Sequence, residues 1–306
     1  MKIEYAIIVK NKTRLESLIE RFNTKAQAKF YIENLGGNFE DYVLEHEIFH
    51  HSLNSLQTQL SKIVKNKTVE RLYLPSFIFS DNQLIIVIGQ DGLVANTAKY
   101  SKGCPIIAVN PDKDRYDGVL LPFDTSDFVL GVENVLSEKL KSKTMRFAEA
   151  RLNDGQRLLA FNDLFIGAAS HVSARYKISF NQNTEEHSSS GLIVSTPAGS
   201  TGWLSSIFNM AYGVTGMFEK NLKPKRPKLK DSELLFAVRE PFQSIRTQTG
   251  ITAGIIKNQN HLTIESLMPS NGIIFSDGIE KDFLQFNSGA IAKIGIAPET
   301  AELVIK

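Results

Sequence analysis

The sequence is poor in the residues that announce common site chemistries. It has one cysteine, Cys104, in 306 residues. A single thiol excludes an internal disulfide and any multi-cysteine zinc or iron–sulfur centre. It lacks an excess of charge: 35 Lys+Arg against 33 Asp+Glu leave a formal net +2. So even a balance argues against a nucleic-acid partner, which selects for a basic surface. It also lacks a long apolar run. The opening MKIEYAIIVK is too short to span a bilayer and has no small-residue cleavage site, so no membrane partner and a cytoplasmic location are expected. No Gly-x-Gly-x-x-Gly follows a strand-like run, and no Walker A loop or Gly-x-Ser-x-Gly elbow is present.

What is present is a chain with ample core-forming material, 42% hydrophobic, organised in two halves. Residues 1–143 alternate strand-like and helix-like segments. Tyr5–Val9, Val69–Leu74, Leu84–Ile88 and Pro105–Val109 read as buried strands. Helices are expected from Thr13, over Thr24–Leu35, and over Asp124–Leu140 with Asp124 or Thr125 as cap. From residue 144 to 306 short alternating segments dominate. They include Met145–Leu152 and Arg157–Phe161 around an Asn153-Asp154-Gly155 turn, then Arg175–Phe180, Leu192–Ser195, Leu234–Val238, Ile251–Ile256, His261–Glu265 and Ile291–Ile296. One helix is expected near Thr201–Tyr212, and an exposed lysine- and proline-bearing excursion over Asn221–Lys230. The fold class expected is an α/β domain with a mostly parallel sheet, followed by a β-rich, sandwich-like domain.

Three segments have the composition of ligand loops. Gly89-Gln90-Asp91-Gly92 follows the clearest buried strand and opens a helix; glycines let backbone approach a phosphate, and a helix N-terminus favours an anion. Ser195-Thr196-Pro197-Ala198-Gly199-Ser200-Thr201-Gly202-Trp203 stands between a strand and a helix, with the same anion-binding potential. Phe161-Asn162-Asp163 sets an amide beside a carboxylate at a strand edge, a pair suited to ribose hydroxyls or a metal-bound water and equally at home in a turn. A fourth match, His46-Glu47-Ile48-Phe49-His50, fits the zincin H-E-x-x-H pattern. Nothing near it in sequence supplies a third ligand, so it is expected to hold no metal.

In order and approximate spacing these loops resemble the NAD kinase family. Gly89-Gln90-Asp91-Gly92 stands for its Gly-Gly-Asp-Gly, Asn162-Asp163 for its Asn-Glu, Thr196 to Trp203 for its Thr-Pro-Thr-Gly-Ser-Thr-Ala-Tyr, and Ser276-Asp277-Gly278 for its Val-Asp-Gly turn. The stretches Pro111-Asp112, Asn162 to Gly167, Ser189 to Leu192, Val238 to Pro241 and Gly289 to Ala292 are most similar to the mitochondrial-type branch. The resemblance implies transfer of the γ-phosphate of ATP to the adenosine 2′-hydroxyl of NAD, with Mg²⁺ accompanying ATP, in a homo-oligomer. It implies Asp91 as the group activating the hydroxyl or holding Mg²⁺ close to it. It assigns Gly89, Gln90 and Gly92 to phosphate, Asn162 and Asp163 to ribose or amide groups, and Thr196, Gly199, Ser200 and Thr201 to the adenosine or phosphate pocket. Trp203 would stack on a base, and Asp277 would give a more distant contact. Gln90, Leu93 and Asp163 depart from the family's glycine, threonine and glutamate. Related kinases of lipid or sugar hydroxyls, and a dinucleotide-binding protein with impaired transfer, are the alternatives.

Overall fold

Apolar runs too short for helices become the central strands. Ala6 to Val9 and Leu84 to Ile88 are fully buried and lie side by side in parallel, Ile7 opposite Ile85. A strand covered on both faces needs no polar alternation. The computed structural model describes residues 3–219 and 227–306. It forms two compact units, residues 1–144 with 301–306, and residues 145–300.

The first unit runs β1 (Tyr5–Lys10), α1 (Arg14–Phe22), α2 (Lys25–Asn34), α3 (Phe39–Leu60), β2 (Lys65–Glu70), β3 (Gln83–Ile88), α4 (Asp91–Ala98), β4 (Pro105–Asn110), β5 (Phe123–Asp124) and α5 (Phe128–Leu136). Its sheet has the order β2-β1-β3-β4, all parallel, with β5 beyond β4. Phe49, Leu53, Leu56 and Leu60 of α3 and Phe128, Val132 and Val135 of α5 cover one apolar surface built on Ala6, Ile8, Ile86 and Val109. A smaller cluster, Leu15, Ala28, Ile32 and Phe39, joins α1, α2 and the start of α3. Thr13 caps α1 through a capping box: its hydroxyl accepts from the Glu16 N–H, and its own N–H donates to the Glu16 carboxylate at 2.7 Å.

The second unit holds most of β6 (Ser142–Leu152), then β7 (Arg157–Ala160), β8 (Asp163–Ala168), β9 (Ala174–Phe180), β10 (Asn183–Ser189), β11 (Leu192–Ser195), α6 (Trp203–Thr215), β12 (Leu234–Val238), β13 (Ala253–Ile256), β14 (Leu262–Ser266), β15 (Gly272–Ser276), β16 (Ile279–Gln285) and the greater part of β17 (Ile291–Val304). One antiparallel sheet has the order β13-β12-β11-β8-β15-β16, and a second contains β10-β9-β14-β17 with β6 and β7. Ile178, Ile264 and Ile294 from the latter share a core with Ile166, Val194, Phe236 and Ile274 from the former, which makes a sandwich. The last residues of β17 belong to the first unit, where Leu303 pairs in parallel with Ile106 of β4.

Several boundaries differ from the sequence expectation. The second strand lies at Lys65–Glu70, and Arg71–Ser76 is a 3-10 turn containing Pro75; proline supplies no N–H to a ladder. The last helix of the first unit starts at Phe128 and ends at Leu136. Asp124 is a β5 residue whose carboxylate takes the Lys113 ammonium and the Ser126 N–H, so it does not cap the helix. The expected excursion lies outside the described residues over 221–226, and 227–230 have no regular structure. Strands β8, β10, β15 and β16 and the 22-residue helix α3 were not among the expected elements. His46 and His50 sit in the middle of α3.

Candidate nucleotide site

Chain order fixes where a ligand can sit in the first unit. From β1 the chain leaves toward β2; from the neighbouring β3 it leaves toward β4, on the other side. Connections that diverge from adjacent parallel strands open a crevice at their carboxyl ends. A cavity of about 600 Å³ lies there. Its walls include Asn11, Lys12, Thr13 and Arg14 after β1, and Gly89, Gln90, Gly92 and Leu93 after β3. Arg21, from the end of α1, and Arg71, from the turn after β2, bring further positive charge. Acidic groups at the wall are already matched: Glu45 pairs with Arg14 and Arg115, and Asp112 pairs with Arg115. Lys12 is held by Glu20 at 2.8 Å, whereas Arg71 makes no ion pair with any described residue. The cavity is therefore cationic, with unused charge at its rim, and it is nucleotide-sized.

The Gly89 loop is built for close approach. Gly89 has φ +154°, and a Cβ there would come within 3.1 Å of Leu93 Cδ2. At Gly92 a Cβ would meet nothing within 4 Å, so packing inside the chain does not demand glycine there. Gln90 is exposed and is the N-cap of α4, without a side-chain capping bond. Asp91 is the first residue of α4. Its two carboxylate oxygens accept the N–H groups of Leu120, at 2.8 Å, and Val119, at 3.2 Å. Asp91 thus fastens the 117–121 loop to the start of α4, and each oxygen keeps a lone pair.

In the second unit the other loops converge on one knot. The Asp277 carboxylate accepts three successive backbone N–H groups, from Phe161 at 3.1 Å, Asn162 at 2.6 Å and Asp163 at 3.3 Å. Asp277 itself takes φ +54°, a left-handed conformation. The Thr196 hydroxyl donates to the Phe161 carbonyl at 2.6 Å and accepts from the Gly199 N–H. Gly199 is pressed so closely on the turn that a Cβ would fall 2.3 Å from the Asn162 carbonyl oxygen. Thr196 and Gly199 are buried and serve this packing; Ser200 donates to the Pro197 carbonyl, and Thr201 is exposed. Asp163 is 9% exposed, and its Oδ1 has no hydrogen-bond partner among the described residues. Burial, with the Asp277 charge adding to it, pushes its carboxyl up to about 7, against a partly offsetting bond from Ser195.

Trp203 belongs to a different surface. Its ring stacks on Phe165, centroids 5.6 Å apart and planes 8° apart, with the Arg239 guanidinium 5.4 Å from its centroid. Phe165, Trp203, Arg239 and Phe275 line a second cavity of about 690 Å³ within the same unit. Asn162, Asp163, Thr196, Gly199 and Asp277 line neither of these two cavities. The cations of the first cavity escaped the sequence reading. The available signal was Asn11-Lys12-Thr13, which directly follows the first buried strand.

Comparison with known proteins bears on this architecture. No protein-family profile matches the chain. An NAD kinase of Heliobacterium modesticaldum is 30% identical over 128 residues, 39% of this chain. The chain spans less than half of that relative's length, 44%. Among solved structures, yeast NADH kinase complexed with NADH is similar with a TM-score of 0.61 at 18% identity, covering 100% of this chain and 84% of that one. An NAD kinase from Archaeoglobus fulgidus in complex with ATP gives 0.57 at 15% identity, covering 98% and 92%. The chain thus has the fold of the NAD kinases, and over 128 residues its sequence is similar to one of them.

Proposed function

We propose that the protein transfers the γ-phosphoryl group of ATP to the adenosine 2′-hydroxyl of NAD or its reduced form. The observation that carries this reading is the cationic, nucleotide-sized cavity at the diverging ends of β1 and β3, floored by the Gly89–Gly92 loop, in a chain with this fold. Phosphoryl transfer depends on positioning and charge neutralisation more than on covalent chemistry. Lys12, Arg14 and Arg71 would neutralise phosphate oxygens, and the backbone at Gly89 and Gly92 would let them approach. Asp91 would accept the hydroxyl proton. Mg²⁺ suits an oxygen donor set of one carboxylate plus substrate phosphates, and the free lone pairs of Asp91 fit that requirement; the ion would offset phosphate charge. Asn162 and Asp163 would hold polar groups of the dinucleotide. We include a homo-oligomer, for which the exposed Met210 and Val214 of α6, with Met217 and Phe218 beyond it, are the supporting observation; light scattering checks it.

A second reading has its own support. Both Asp91 oxygens already accept backbone N–H groups, as a purely structural anchor would, which favours a dinucleotide-binding protein without transfer. The deciding experiment incubates the chain with ATP, Mg²⁺ and either NAD or NADH and measures NADP or NADPH. Product formation at catalytic rates supports the kinase. Saturable dinucleotide binding without product supports the second reading. No binding of either dinucleotide at millimolar concentration, where the binding free energy is only about −4 kcal/mol, defeats both.

A further inference from the structure

Among the described residues, side chains that could together hold a metal ion gather at one place, in the first unit. The H-E-x-x-H segment lies on α3, so His46 and His50 are one helical turn apart on the same face, with ring centroids 4.3 Å apart. The sequence offered no third ligand; α1 does. Glu16 comes across from that helix, its Oε1 3.0 Å from His50 Nε2. One ligand atom from each of Glu16, His46 and His50 lies within 4.8 Å of the others, and all three residues are half-buried. We propose that Glu16, His46 and His50 form a site for a divalent transition cation of the zinc type, which clamps α1 to α3.

The donor chemistry selects the class of ion. Two imidazoles and a carboxylate suit Zn²⁺ and its neighbours, not Mg²⁺ or Ca²⁺, which take mainly oxygen. Zinc bonds of about 2.0–2.1 Å put tetrahedral donors roughly 3.3 Å apart, a spacing that side-chain rotation reaches from the present one. Thr13 Oγ1 lies 2.9 Å from His46 Nδ1, the kind of outer contact that orients a ligating ring. Burial, then the neighbouring His50, lowers the pKa of His46. Burial alone would raise Glu16, but the Thr13 N–H, Lys10 and His50 outweigh it and hold the carboxyl below its ordinary range. Lys10 and Lys25 are the cations felt by the cluster, and Glu47 is a further acid beside His46.

The consequence is mechanical. Thr13 and Arg14, at the start of α1, line the nucleotide cavity. α1 and its cap meet α3 through the small apolar cluster, the Arg14–Glu45 pair and the Thr13–His46 and His50–Glu16 contacts. An ion bonded to both helices would lock that cavity wall in place. The hydrolase role of the motif is not part of the proposal.

The test uses the full chain without a histidine tag, stripped by chelator and free of nucleotide. Titration with Zn²⁺ should show one equivalent bound at micromolar concentration or below and a rise of several degrees in Tm. Glu16→Gln preserves the capping box, because glutamine serves in that position; it should weaken zinc binding at least tenfold. The pair His46→Ala with His50→Ala should abolish it, with the fold verified by circular dichroism. Should that double variant fail to fold, Co²⁺ added to the native chain is the independent check, and visible absorption of a four- or five-coordinate nitrogen–oxygen site at one equivalent is expected. The proposal is overturned if no equivalent binds at micromolar zinc, if it persists in the double variant, or if Glu16→Gln leaves the affinity within twofold, which would leave only a surface histidine pair.

Discussion

Two aspartates show how differently one side chain can be used. Asp163 is buried with its carboxyl pushed up to about 7 from 3.8. A carboxyl raised on folding binds more protons in the native than in the unfolded chain between these values. Stability therefore falls as pH rises from about 4 to about 7, then levels off. Three units at 1.36 kcal/mol each set the full effect on the order of 4 kcal/mol. Asp163→Asn should match the parent below pH 4 and become the more stable protein by pH 8, read from denaturant unfolding across that range; a pH-independent difference would show that the carboxyl is not strained by burial. Asp91 is only partly buried and anchors two N–H groups. Asp91→Asn keeps one such acceptor and loses the other, about 0.5–1.5 kcal/mol of stability. As a general base it would contribute far more to turnover, 10²–10⁴-fold, or about 3–5 kcal/mol of barrier. A turnover loss of a few-fold alone would make Asp91 an anchor and favour the non-enzymatic reading. The burial of Asp163 could not be read from sequence, because it comes from Thr196, Gly199 and Asp277 folding onto the same turn.

Elements were legible where local chemistry was enough. Thr13 and Thr24 mark the starts of α1 and α2, and the Asn153-Asp154-Gly155 turn joins β6 to β7 with Arg151 opposite Arg157. Three of the four parallel strands, β1, β3 and β4, came from continuous apolar runs; β2 carries Lys65, Asn66, Lys67 and Thr68 and is found only because β1 pairs with it. The exposed faces of β10 likewise hide it: Asn183, Thr184, Glu185 and Glu186 read as loop until β9 supplies a partner. Helix α3 has a wide polar surface and an apolar seam of Phe49, Leu53, Leu56 and Leu60, which becomes clear only against the sheet. The same holds for the cavity cations: Arg71 enters the site because β2 lies next to β1, not because of its own neighbours in sequence. Its charge has no ion-pair partner among the described residues, so a phosphate contact would be its main use. Hydrogen bonds to charged groups are worth about 1.5–3 kcal/mol. Arg71→Ala should therefore raise the KM for ATP at least tenfold while kcat changes little, the pattern of lost uniform binding. Steady-state kinetics at saturating dinucleotide distinguishes this from a fall in kcat alone, which would place Arg71 on the transition state instead.

At the scale of the whole molecule the two units have separate cores and present different polar groups. The first offers cations and a helix N-terminus around Gly89–Gly92; the second offers amide, carboxyl and hydroxyl groups around Asn162, Asp163 and Thr201. Phosphate should therefore be read by the first and the dinucleotide by the second. Hydrogen exchange can separate these, since a ligand that orders a loop slows local opening there by its own binding free energy. A non-hydrolysable ATP analogue with Mg²⁺ should protect Asn11–Arg14, Gln90, Gly92 and Leu93, which line the cavity. NAD should protect the 161–163 turn and the 199–202 loop. Each set should respond to its own ligand when the other is absent. If the ATP analogue protects only the second unit, the cationic cavity is not the phosphate site. If NAD protects only residues around Trp203, Arg239 and Phe275, then the aromatic cavity of the second unit takes the dinucleotide. The Asn162–Asp163 turn, with Asp277 and Thr196 fastening it, would then be a structural knot with no ligand of its own.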